Sequence, residues 1–380
     1  MTQPLRILML NYEYPPLGGG ASPTGQQLCE LYARRGHEVT VVTMGYKGLP
    51  REETLEGVRI VRVPVLRKRQ DKCETYEMVS YVLSALPRLL RRLRRECYDV
   101  MHVHFIVPTG LLAYAATRFK RIPFIITPHG SDVPGYNRER FTTEHRFMTP
   151  LLKHIAKSCD RLVTPSRFLK GLVEERLGVT GVGHIPSGIS FNSFSPKPKE
   201  RRILMTGRLL QRKGFQHVLT ALNGVETDFE VHIAGDGPML AELEQLAQEL
   251  PLKVEFHGWL KQSDPLLREL YETSMIFCLP SEKENASMSL LEAMAAGMAV
   301  ITSDVSGCPE TIGEAGITVP PGSPDALREV LLPLLKAPGR CEELGRRARK
   351  RVENHFDWEV IGTQYLELLA DLASGDGRDW

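Results

Sequence analysis

At 380 residues the chain is long for one domain and comfortable for two, each able to bury its own core. With 25% charged residues and a formal net charge of only +2, a nucleic-acid binder driven by overall charge is excluded, so partners must be argued locally. The seven cysteines are odd in number, scattered and never form C-x-x-C, which argues against a disulfide framework or a zinc site and fits a reducing cytoplasm.

The chain opens on the apolar run "LRILMLNY", which meets Glu13 and a proline pair too soon to be a signal-peptide core. No segment reaches bilayer-spanning length, so the expectation is a soluble or, at most, surface-bound protein. Glycine and proline punctuation follows, and then "GQQLCELYARRGH", with Leu28, Leu31 and Tyr32 at helical spacing and Gly36 as a stop. The alternation continues through "EVTVVTM", "GVRIVRVPV", a long helical stretch from about Tyr76 to Glu96, "YDVMHVHFI", "LLAYAATRF", "PFIITPHG", a helical run near His145 to Ser158, and "DRLVTPS". Alternating β and α of this kind predicts a mostly parallel sheet covered on both faces.

"HIPSGISFNSFSPKPKE" has three prolines and no apolar periodicity, and reads as a linker. A second series follows it, with strand candidates "RRILMTGRL", "FEVHIAGDG", "LKVEFHGWL", "MIFCLPS", "MAVITSD" and "AGITVPP". The expected organisation is an α/β domain over 1–193, a second over 194–357, and a C-terminal helix in 358–380 packing back on the first domain before a frayed tail. Ligands of open α/β sheets bind beyond the carboxyl ends of the strands, so two such domains facing each other make a cleft.

Several stretches could carry chemistry. In "YPPLGGGASPTGQQ" successive glycines between a strand and a helix let backbone amides approach a phosphate. A Walker loop fails because Gln26 and Gln27 replace the lysine and hydroxyl, and a nicotinamide fingerprint lacks its acidic residue after the second strand. A glycine-rich turn with no ligand is the plain alternative. "TGRLLQRKG" places Arg208 and Lys213 at a strand's carboxyl end, where they suit a diphosphate, although surface solvation accounts for them equally.

In "SEKENASMSLLEAMAAGMAV" a strand ends at Pro280 and a helix begins near Ser287 to Ser289, leaving free amides that form an anion site. Ser289 and Glu292 also read as a capping box, and Glu284 alone reads as an exposed loop acid. His102 and His104 share one strand face and are either metal ligands or buried wall residues. "LPRLLRRLRRE", Leu86 to Glu96, has Leu86, Leu89, Leu90 and Leu93 on one face among arginines, with "LRKRQDK" at 66–72 nearby. It either docks on anionic lipid or packs its leucines on the sheet.

Glu284 and Glu292 in E-x7-E, followed by "AMAAGMAVITSD", resemble the signature of retaining glycosyltransferase family 4, of GT-B fold. The other matches fall in order: Gly19-Gly20 ahead of "RRGHEVTVVT", "HVH", "PHGSD", "VTPSRF", "IPSGISFNSFSP", "GRLLQRKG", "IAGDGP" and "HGWL".

The resemblance implies two facing Rossmann-like domains, a UDP- or GDP-sugar held mainly by the second and a glycan or lipid-linked acceptor by the first. It assigns the diphosphate to Arg208 and Lys213 with Gly19, Gly20 and the amides of Ser287, Met288 and Ser289, and places Gly258 on the donor side. The ribose falls to Glu292, the sugar hydroxyls to Glu284, and a place beside the reacting sugar to His129. It implies no bound metal and no cofactor. Competing classes are a nucleotide-sugar 2-epimerase of the same fold and a non-catalytic sugar-nucleotide binder. The chain departs from the family at Asn285 to Ser287, where phenylalanine and glycine are usual, and at Ser187 and Ser190 in the linker.

Overall fold

The computed structural model describes residues 3–19, 21–70, 72–136 and 142–375. The chain divides into two compact units: Met1–Ser187 together with Trp358–Trp380, and Gly188–Asp357.

The first unit runs β1 (Arg6–Leu10), α1 (Ala21–Arg34), β2 (Glu38–Met44), β3 (Glu52–Leu55), β4 (Val58–Val63), α2 (Thr75–Arg95), β5 (Val100–His104), α3 (Leu111–Phe119), β6 (Phe124–Thr127), α4 (Thr142–Ser158), β7 (Arg161–Thr164), α5 (Arg167–Leu177) and β8 (Gly183–His184). Its sheet has the order β3-β4-β2-β1-β5-β6-β7-β8 and is parallel except for β3 against β4. The second unit contains β9 (Glu200–Thr206), α6 (Phe215–Leu222), β10 (Glu230–Ala234), α7 (Leu240–Gln248), β11 (Val254–Phe256), α8 (Pro265–Thr273), β12 (Ser274–Leu279), α9 (Met288–Ala295), β13 (Ala299–Ser303), α10 (Cys308–Ile312), β14 (Ile317–Val319), α11 (Pro324–Lys336) and α12 (Pro338–His355). Its six strands are all parallel, in the order β11-β10-β9-β12-β13-β14. The last helix, α13 (Trp358–Ser374), belongs to the first unit, where Ile361, Tyr365 and Leu369 are buried with Leu28, Leu31 and Tyr32 of α1.

The strands carry the near-continuous apolar runs that two-sided burial demands: β5 and β12 are buried at every position. In each sheet the chain builds outward from its first strand and then returns to the other side, so a switch point lies between β1 and β5 and another between β9 and β12. Loops leaving the carboxyl ends there diverge and open a crevice; those after β1, β9 and β12 hold Gly19, Arg208, Lys213 and Glu284, whereas His129 follows β6 and Gly258 follows β11.

The structure adds to the sequence reading at three points. The division falls at Ser187/Gly188 instead of 193/194, because the Ile189 amide already bonds the Phe356 carbonyl at 2.7 Å and the Phe191 amide bonds Asp357 at 3.2 Å. Strand β3, "EETL", has no apolar alternation; it forms because antiparallel pairing with β4 satisfies its backbone while its side chains stay largely exposed. On α2, Leu89 and Leu93 are buried in the core cluster, and the apolar side chains left exposed are Tyr76, Val79 and Leu83 in its first half. Burying each leucine is worth about 1.5–3 kcal/mol, more than a solvated position could return. Arg67 of "LRKRQDK" is also buried, paired with Glu13 at 3.0 Å, and is unavailable to lipid.

Candidate active site

In the first unit, β5 ends in a sharp turn at Phe105, a non-glycine residue with φ of +73°. The turn brings the Phe105 ring to 4.6 Å from that of His129, between centroids. His102 and His104 alternate with Met101 and Val103 along β5, so both point to one face, where their rings stack at 4.6 Å. His104 Nδ1 lies 2.8 Å from His129 Nε2, while His102 is held between the Tyr32 hydroxyl at 3.2 Å and Thr127 Oγ1 at 3.1 Å.

Burial lowers all three histidines, His102 to about 3 and His129 to about 4, so the cluster is neutral near pH 7. Asp132 holds the loop that presents His129: one oxygen accepts from the amides of His129 and Gly130, the other from the amide of Ile106. Burial raises its pKa to about 6 and those amides oppose the shift. Sequence reasoning missed Asp132 as a positioning residue; its signal was "HGSD", an acid three residues after a strand-end histidine. Beside this cluster an apolar groove of about 220 Å³ is lined by Tyr12, Phe105, Val107, Met148 and residues of α2. Gly19 is exposed at the start of α1, and Gly20 lies outside the described residues.

In the second unit, three loops are zipped together by their backbones. Gly214 closes the β9 loop with φ of +77°, and a Cβ there would sit 2.4 Å from the Pro280 carbonyl oxygen. The amide of Glu282 and the hydroxyl of Ser281 both donate to the Arg212 carbonyl, fixing the β9 loop against the β12 loop. Gly307 then approaches so closely that a Cβ would lie 1.7 Å from the Asn285 carbonyl oxygen, while its amide donates to the Glu284 carbonyl at 2.9 Å.

The result is that Lys213 and Glu284, 71 positions apart, meet at 2.5 Å with most of both side chains out of water. Glu284 is therefore a buried, paired carboxylate and no loose loop acid. Arg208, on the same β9 loop, is exposed, and its side chain makes no ion pair or hydrogen bond among the described residues.

Helix α9 starts where expected, with Ser287 as N-cap, but no side chain caps it. The Ser289/Glu292 capping box does not form: Ser289 is already the second helical residue and Glu292 lies more than a turn in. The Ser289 hydroxyl meets that of Ser287 at 3.0 Å instead, leaving the first-turn amides of Met288 and Ser289 to an incoming anion.

Glu292 is buried, accepts from Gln262 Nε2, and lies beside Tyr271, whose hydroxyl also meets Thr206 at 2.6 Å. Burial raises its pKa to about 7, against the hydrogen bond from Tyr271. Gln262 and Tyr271 went unnoticed in the sequence because nothing in their spacing links them to Glu292. Gly258 follows β11 with φ of +64° and leads, four residues on, to Gln262.

Two family descriptions match successive parts of the chain: "Glycosyltransferase Family 4" over residues 18–192 and "Glycosyl transferases group 1" over 189–351. Among curated relatives, the N-acetyl-alpha-D-glucosaminyl L-malate synthase of Bacillus anthracis is 27% identical over 96% of this chain and 96% of its own. Among solved structures, sucrose-phosphate synthase from Thermosynechococcus elongatus superposes with a TM-score of 0.79 at 22% identity, covering 98% of this chain and 100% of that one. HepE of Anabaena in complex with UDP superposes with a TM-score of 0.73 at 16% identity, covering 97% and 100%. The agreement of both family descriptions, the relatives and the shared architecture places the chain in glycosyltransferase family 4, with the GT-B fold.

Proposed function

We propose that this protein moves a hexose-type sugar, with retention of configuration, from a UDP- or GDP-sugar to a hydroxyl of a glycan or lipid-linked acceptor. The observation that carries this reading is the second-unit constellation: Lys213 against Glu284 at 2.5 Å, uncapped amides at the start of α9, and the unpaired Arg208. Arg208, Lys213 and the amides of Met288 and Ser289 offer fixed positive charge to a diphosphate, a role that a catalytic metal fills elsewhere. Glu292 takes the ribose hydroxyls beside Gly258, and Glu284 takes hydroxyls of the transferred sugar. In the first unit His129, neutral at working pH, offers a sugar hydroxyl a hydrogen-bond partner that adds no charge. In the transfer the bond from the anomeric carbon to the diphosphate breaks, a bond to the acceptor oxygen forms, and the acceptor's proton passes to the departing phosphate. HepE, solved with UDP, supports the nucleotide class.

The donor is tested by thermal shift with UDP, GDP and their sugars. One nucleoside diphosphate is expected to stabilise by about 2.7 kcal/mol at a hundredfold excess over its Kd. No shift with any nucleoside diphosphate or sugar nucleotide, or release of nucleoside diphosphate at the same rate with and without acceptors, would sink the transferase reading.

The first unit supports an acceptor with an apolar part, because the groove beside Phe105 is lined on the α2 side by Val79 and Leu83, both of them exposed. Arg88, Arg91, Arg94 and Arg95 are exposed farther along the same helix. The protein is thus proposed to be cytoplasmic and to dock peripherally on anionic lipid through this half-apolar, half-basic helix. Co-sedimentation with phosphatidylserine-containing vesicles at low salt is expected, and Val79→Glu/Leu83→Glu is expected to abolish it. Equal pelleting of wild type and double variant would remove this role from α2.

A further inference from the structure

A second cluster of chemistry-bearing side chains lies on the outer strands of the second sheet, and the transfer reading makes no use of it. His232 of β10 and Glu255 of β11 are register partners, and His257 follows two residues after Glu255, so all three point to one face. His232 Nδ1 is 2.9 Å from His257 Nε2, and Glu255 Oε2 is 3.8 Å from the first and 4.0 Å from the second. These last two separations exceed hydrogen-bond length, so the carboxylate oxygen faces the imidazole pair without bonding to it. The point equidistant from the three atoms lies about 2.1 Å from each, the bond length of zinc to imidazole nitrogen and carboxylate oxygen.

The surroundings are those of a ligand set. The far nitrogen of His232, Nε2, meets the Glu230 carboxylate at 3.2 Å. A carboxylate only accepts, so that nitrogen carries the proton and Nδ1 turns its lone pair to the cluster. Such a carboxylate–histidine arrangement orients metal-binding imidazoles. His232 is buried, whereas His257 and Glu255 are partly open, giving a solvent route on one side. Among the described residues no other three His, Cys, Asp or Glu side chains bring ligand atoms this close together. Lys253 holds the other oxygen, Oε1, of Glu255 and leaves Oε2 in place.

We propose that His232, Glu255 and His257 form a divalent-cation site of the zinc class, three protein ligands with water completing the coordination, that ties β11 to β10. Two nitrogens and one carboxylate oxygen suit zinc, cobalt or nickel over magnesium or calcium. The site braces the segment from His257 to Gln262, which carries Gly258 and ends at the side chain holding Glu292. Its role is structural, outside the transfer chemistry, and it stands whether or not the proposed transfer is correct.

The test uses the full chain, stripped with chelator and then titrated with zinc or cobalt alone. Wild type is expected to bind one equivalent of zinc that His257→Gln does not, with a rise in Tm that the variant lacks, and to show the visible absorption of four-coordinate cobalt. Glu230→Gln, which touches no metal, is expected to weaken the site by about 10- to 100-fold. Lys253→Ala, which removes a nearby cation, is expected to strengthen it several-fold. A purely structural histidine pair predicts the opposite pattern: identical zinc isotherms in wild type and His257→Gln, no cobalt band, and no gain in Lys253→Ala. Either that pattern or absence of binding to wild type overturns the proposal.

Discussion

Glu284→Gln is expected to lower kcat by about 100-fold or more, a loss of at least about 2.7 kcal/mol of transition-state stabilisation, while the affinity for the nucleoside diphosphate stays within a few-fold of wild type. The glutamine carbonyl can still accept from Lys213, so the Lys213 ammonium is not stranded, and the fold is retained with a modest drop in Tm. Glu284→Ala differs in kind. It leaves Lys213, mostly removed from water, without its counter-charge, and breaking a buried pair in this way costs about 3–5 kcal/mol. Comparing the two separates chemistry from folding. A merely structural Glu284 predicts full turnover in whatever Glu284→Gln protein is folded, and that result would strip the residue of its role toward the sugar.

The second large effect concerns Glu292. Its pKa, ordinarily near 4.5, is raised by burial to about 7. Below the unfolded value the carboxyl is protonated in both states and contributes no pH dependence. Between about 4.5 and 7 the unfolded chain has lost its proton while the folded one keeps it, so stability falls as pH rises through this window. Above it the full penalty, of the order of 3 kcal/mol, is present. Glu292→Gln removes it, so the variant is expected to gain stability over wild type from about pH 6 upward and to show no gain near pH 4. Donor affinity is expected to fall about tenfold or more, because a charged acceptor for the ribose hydroxyls is lost. A residue that costs stability when ionised and strengthens ligand binding follows the usual trade at binding sites. Denaturant midpoints against pH, with calorimetry on the nucleoside diphosphate, check both halves. A stability difference independent of pH would remove the burial argument, and unchanged affinity would remove the ribose contact.

How legible the molecule was depends on the range of the interaction involved. The six strands of the second unit were all readable, because each is a short apolar run bounded by glycine, proline or charge. Strand β3 was not, since "EETL" owes its conformation to β4 and to nothing in its own pattern. The start of α9 was readable to within the span Ser287 to Ser289, but the capping box drawn from Ser289 and Glu292 was wrong: a four-residue motif does not reveal which of its members is the N-cap. On α2 the leucine spacing identified an amphipathic helix, yet the orientation that buries Leu89 and Leu93 leaves Tyr76, Val79 and Leu83 as the outward apolar face.

The chain's own order of residues determined the alternating α/β plan, the glycine-closed loops at strand ends and the ordered motifs that point to family 4, because these rest on local periodicity and backbone freedom. Which side chains become partners was decided only in three dimensions. Lys213 reaches Glu284 across 71 positions, Gln262 reaches Glu292 across 30, and His104 reaches His129 across 25. Each meeting depends on parallel strands that deliver distant loops to one edge of a sheet, and on glycines such as Gly214 and Gly307 that let those loops touch. The burial that raises Glu292 and lowers the histidines arises from the same convergence, since desolvation is a property of the packed neighbourhood and not of the residue.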